Sequence, residues 1–82
     1  MTEEGKIQAR KIKELENQGY YVVKLMKTNK NGIPDLIAIP KDSDVLFIEV
    51  KTKKGNTSPL QDFRIKELRS HGINVLIYKP ND

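Results

Sequence analysis

The sequence predicts an α/β domain in which a mixed sheet is flanked by helices, with elements in the order αβββαβ. Its opening stretch carries helical apolar spacing, short β-branched or aromatic runs alternate with turn-forming clusters, and a plainly capped helix precedes one last such run. At 82 residues a chain buries only roughly 60% of its unfolded surface. Residues 1–82 are therefore expected to form one domain around a modest core.

From Glu3 to Gln18, Ile7, Ile12 and Leu15 fall on an arc roughly 140° wide at ~100° per residue, which is the signature of a helix with one apolar side. Thr2 is its expected cap, and Gly19 its end. Tyr20 to Met26 is β-branched and aromatic and too short for a typical helix, so it reads as a strand that Thr28-Asn29-Lys30-Asn31-Gly32 breaks. Asp35–Ile39 and Val45–Thr52, separated by Pro40-Lys41-Asp42-Ser43-Asp44, read as a β-hairpin. A helix start follows, with Ser58 at the cap, Pro59 at the first helical position and Gln61 closing a capping box. That helix is expected to run to about His71, before Gly72, and Asn74 to Tyr78 to form the last strand.

Composition narrows the function. The chain has no Cys, which removes disulfides, thiolate zinc sites and cysteine nucleophiles. No apolar run approaches the ~18 residues of a membrane span, and the N-terminus lacks a secretory pattern, so a soluble cytoplasmic protein is expected. A net charge of +4 favours a polyanionic partner. The cations are mostly Lys, the exceptions being Arg10, Arg64 and Arg69. Lys meets phosphate as a point charge, so contact with a nucleic-acid backbone is expected more than reading of bases.

In the hairpin, Glu49 and Lys51 lie two residues apart on one strand and project from the same face, with Asp35 opening the neighbouring strand. Val45, Phe47, Ile37 and Ile39 are expected on that face, which should be buried. Charges rarely stand in such surroundings unless paired, metal-bound or functional. Hard carboxylate oxygens suit Mg²⁺ or Mn²⁺, and phosphodiester hydrolysis accounts for the set. Lys51 would orient or deprotonate the attacking water and stabilise charge in the transition state. The Val50 carbonyl is a further expected ligand, and so is Glu4, which sits near the middle of the apolar arc of the first helix. Gln8 and Lys11 share that arc, which is compatible with a helix side lining a substrate cleft. Beside such a site Lys53 and Lys54 would hold the DNA backbone, and Lys24, Lys27 and Lys30 form a second basic group that equally suits a solvated strand edge.

Ile33-Pro34-Asp35-Leu36-Ile37, followed by Phe47-Ile48-Glu49-Val50-Lys51, resembles the PD-(D/E)xK nuclease signature. With Gly32, Ser58-Pro59-Leu60-Gln61 and the N-terminal Glu-bearing helix, the chain resembles the VRR-NUC family, the virus-type replication-repair nucleases, from Glu4 to Tyr78. The resemblance implies a minimal restriction-endonuclease-like core with Glu4, Asp35, Glu49, Lys51 and Gln61 at the family's active-site positions. It also implies a small stand-alone, phage-like homodimer acting on branched DNA such as Holliday junctions. Size points the same way, since a short sheet with open edges gains from a second copy.

Each feature also has a plainer reading. Pro-Asp pairs are common in loops, Glu-x-Lys fits a solvated strand face, and the capping box alone accounts for Gln61. His71 sits where a cation favours the helix dipole, and the aromatic residues are spaced as core or interface. The combination of Pro-Asp, a hairpin gap and Glu-x-Lys is what favours a metal-dependent nuclease. An archaeal-type Holliday junction resolvase shares those elements. Two non-enzymes stand behind it: a basic nucleic-acid-binding module whose Asp35, Glu49 and Lys51 form a structural ion pair, and a protein that binds an acidic partner.

Overall fold

The structure, a computed structural model, describes residues 2–81. Helix α1 spans Glu3–Asn17, and the Thr2 side chain accepts a hydrogen bond from the Gly5 N–H, satisfying one of the donors that a helix start leaves free. Strand β1 is Tyr21–Lys24, β2 Leu36–Ile39 and β3 Leu46–Val50. Helix α2 spans Pro59–Ser70 and β4 Asn74–Tyr78, so the order is αβββαβ as expected. The first three strands are shorter than their sequence patterns, because side-chain periodicity runs on past the last paired backbone group.

The sheet order is β1-β2-β3-β4. The β1–β2 and β2–β3 pairs are antiparallel, whereas β3 and β4 are parallel and joined through α2, as a parallel pair requires a crossover. The mixed sheet is therefore present, with Leu36 opposite Ile48 and Ile37 opposite Phe47.

Leu36, Ala38, Ile48 and Val50 are completely buried and share one face, against Ile7 and Leu15 of α1. This corrects the sequence expectation, which gave the core to Ile37, Ile39, Val45 and Phe47. Those residues occupy the opposite face and are half-buried, with Ile39 exposed. Both faces of the hairpin carry apolar residues, and the packing of α1 decides which becomes the core. The Lys11 ammonium lies 4.3 Å from the centre of the Tyr78 ring and 2.8 Å from Glu14 Oε1. Among the described residues no helix is long and apolar enough to cross a membrane.

Candidate active site

Asp35, Glu49, Lys51 and Gln61 meet where β2 begins and β3 ends. Pro34 is fully buried and leads into β2. Asp35 stands just before that strand, not within it as the sequence pattern suggested. Its carbonyl accepts the Leu25 N–H at 2.8 Å, and its Oδ2 accepts the Val50 N–H at 2.9 Å. The backbone of β3 therefore fixes the Asp35 carboxylate. Sequence reasoning considered only the carbonyl of Val50 and missed this role of its N–H, because residue identity does not reveal where a backbone donor points.

Glu49 is 1% exposed although it lies on the less buried face of the sheet. Its Oε2 accepts a 3.0 Å hydrogen bond from Gln61 Nε2 and lies 3.4 Å from Lys51 Nζ. Its Oε1 is buried without a hydrogen-bond partner. Burial pushes the Glu49 carboxyl up to about 7, the neighbouring Asp35 charge adds to the rise, Lys51 opposes it, and Glu4 contributes a smaller rise.

Gln61 serves both purposes weighed from sequence, one with each end of its amide. Its Oε1 accepts the Ser58 N–H at 2.9 Å while its own N–H reaches Ser58 Oγ at 3.1 Å, completing the capping box. The Nε2 is left free to hold Glu49. A helix cap thus locks the rotamer of a residue in the site.

These groups suit a hard divalent cation, since a buried carboxylate oxygen without a partner and a second carboxylate beside it call for positive charge. Among the described residues no three acidic or imidazole side chains converge as a metal cage, so the structure does not gather Glu4 with Asp35 and Glu49. Glu4 is half-buried at the start of α1, near enough for its charge to act on Glu49.

The lysines expected to hold DNA are all exposed. Lys53 and Lys54, with Glu3 and Thr52, line a hollow of about 340 Å³. Lys27 and Lys30 line another of about 300 Å³ that includes Asp35. His71 is the C-cap of α2, as its place in the sequence suggested.

The family model for the VRR-NUC domain matches residues 3–79. A solved structure of a VRR-NUC domain is 31% identical, covers 94% of this chain and 84% of its own, and superposes with a TM-score of 0.83. A second, a VRR-NUC domain protein, is 22% identical over 96% of this chain and 79% of its own, and shares the fold with a TM-score of 0.79. No curated protein matches the chain.

Proposed function

The chain belongs to the VRR-NUC family and carries its nuclease-type fold, and from that premise we propose that it is a divalent-metal-dependent endonuclease that hydrolyses phosphodiester bonds in DNA. The observation that carries this reading is the buried Glu49 carboxylate, with one oxygen held by Gln61 and Lys51 and the other without a partner, beside Asp35. A purely structural ion pair gives no reason to bury that second oxygen unsatisfied.

Glu49 and Asp35 would hold Mg²⁺ or Mn²⁺, with the Val50 carbonyl as a further donor, while Glu4, which the structure does not bring into the same cluster, adds only its negative charge nearby. When bound, the ion supplies Lewis-acid polarisation of the phosphoryl group and a lowered pKa for water. Asp35 keeps its orientation through the Val50 N–H, and Gln61 orients Glu49. Lys51, only 12% exposed, brings its Nζ to the same point, where as an ammonium it positions the attacking water and meets charge developing on the phosphoryl oxygens. Lys53, Lys54, Lys27 and Lys30 hold the flanking backbone. Branched DNA, such as a four-way junction, is the substrate the resemblance implies, and a homodimer is the form. Exposed Tyr21, Val23 and Ile39, which share one face of β1 and β2, support a partner copy.

Incubating the protein with linear, flap and four-way-junction DNA tests the reading. Cleavage that requires Mg²⁺ or Mn²⁺ and stops in chelator is expected. DNA binding with no cutting of any substrate in either metal would instead favour the non-catalytic module.

A further inference from the structure

Met26 is 80% exposed, more than any other large hydrophobic residue described. A lone exposed apolar side chain is ordinary, so its surroundings decide its meaning. Its neighbour Leu25 is bonded through its N–H to the Asp35 carbonyl, and Met26 and Asp35 line the same hollow of about 300 Å³. From Tyr20 to Pro34 the charged residues are Lys24, Lys27 and Lys30, with no acid among them, and all three are exposed. An apolar tip thus stands in one hollow with Lys27 and Lys30 and with Asp35 of the candidate active site, and no acid lies on the segment that carries it.

The segment that carries it is held in place. Thr28 Oγ1 donates to the Lys30 carbonyl at 2.8 Å and accepts the Lys30 N–H at 3.2 Å. Arg64 Nε of α2 donates to the Asn31 carbonyl at 2.8 Å. Gly32 lies so close to Leu60 that a Cβ there would meet its Cγ at 2.8 Å. The backbone that carries Met26 is thus held by neighbouring contacts before any partner binds, which spares the cost of ordering the loop itself.

We propose that Met26 is an apolar wedge that enters between neighbouring bases of the bound DNA beside the phosphodiester to be cut, while the adjacent lysines hold the backbone. The proposal rests on the nuclease reading and deepens it by naming a source of substrate choice. A duplex interior offers an apolar slot only where bases part, and the lysines in the same hollow need phosphates beside it. Parting the bases costs least where stacking is already broken, so the wedge favours branches, nicks and unpaired steps over continuous duplex. The unbranched, adaptable thioether suits an irregular slot.

The test uses a four-way junction carrying 2-aminopurine at its branch point and a linear duplex of the same sequence. With Lys51→Ala protein in Mg²⁺, binding is expected to raise 2-aminopurine fluorescence at the junction. Adding Met26→Ala is expected to abolish the rise, and Met26→Leu to retain it. In otherwise wild-type protein, Met26→Ala should lower the ratio of junction to linear cleavage about tenfold, as loss of one base-step contact predicts. Fluorescence and cleavage ratio unchanged in Met26→Ala would overturn the wedge. So would a Met26→Ala chain that has merely become monomeric with its junction preference intact, since Met26 would then face a second copy. If the wild type cuts nothing in Mg²⁺ or Mn²⁺ but the Met26-dependent fluorescence persists, the nuclease reading fails and the wedge stands.

Discussion

Glu49 is the residue whose surroundings say most about the site. An unfolded carboxyl ionises near 4.5, whereas burial and Asp35 push this one up to about 7. Between those values the folded chain binds more protons than the unfolded chain, so stability is full below 4.5 and falls as pH rises through about 7. Thermal unfolding in chelator should therefore show the midpoint dropping by several degrees across that window in the wild type, and far less in Glu49→Gln. Added Mg²⁺ or Mn²⁺ should restore stability more at pH 8 than at pH 5, because only the ionised site attracts the cation. A wild-type midpoint that rises over the window, or a Glu49→Gln profile with the same slope, would contradict this account of the carboxyl. At this scale the sequence revealed identities but not partners. Glu49, Lys51 and Asp35 stood out as charges among apolar neighbours, while the grip of the Val50 N–H on Asp35 and the division of Gln61 between Ser58 and Glu49 depend on side-chain and backbone directions.

Among the elements, the helix boundaries were legible because Thr2, Ser58, Pro59 and Gln61 write them in capping chemistry. The strands were legible as runs and not as faces. Leu36, Ala38, Ile48 and Val50 alternate with Ile37, Ile39 and Phe47, so period two alone cannot say which set α1 covers. The loop from β1 to β2 was read only as a break, although it positions Asp35 and lies against α2. Gly32 holds that arrangement, with φ +82° and Leu60 at its back, whereas Gly19 has φ +95° and open space around it. Gly32→Ala should cost about 1–3 kcal/mol for the backbone alone and more for the clash with Leu60, so chemical denaturation should show a larger loss than Gly19→Ala. Equal losses would mean that the loop does not depend on this contact.

For the whole molecule, charge and shape act together. A net charge of +4 favours approach to DNA, with exposed Lys27 and Lys30 lining one hollow with Asp35 and exposed Lys53 and Lys54 following Lys51 in the chain. Tyr21, at 71% exposed, with Val23 and Ile39 at 37% each, leaves an apolar strip beside the open edge of β1. Sedimentation at micromolar protein should show twice the 9.4 kDa chain mass, and Tyr21→Ser should shift the balance toward the monomer. A species of chain mass alone, at every concentration, would remove the dimer from the account. If Asp35, Glu49 and Lys51 cut DNA with a divalent ion, single-turnover cleavage of a four-way junction in Mn²⁺ must separate the wild type from Lys51→Ala. Metal-dependent cutting is expected to fall by about 10²-fold or more in Lys51→Ala with an unchanged circular dichroism spectrum. Equal rates in the two proteins would contradict this reading.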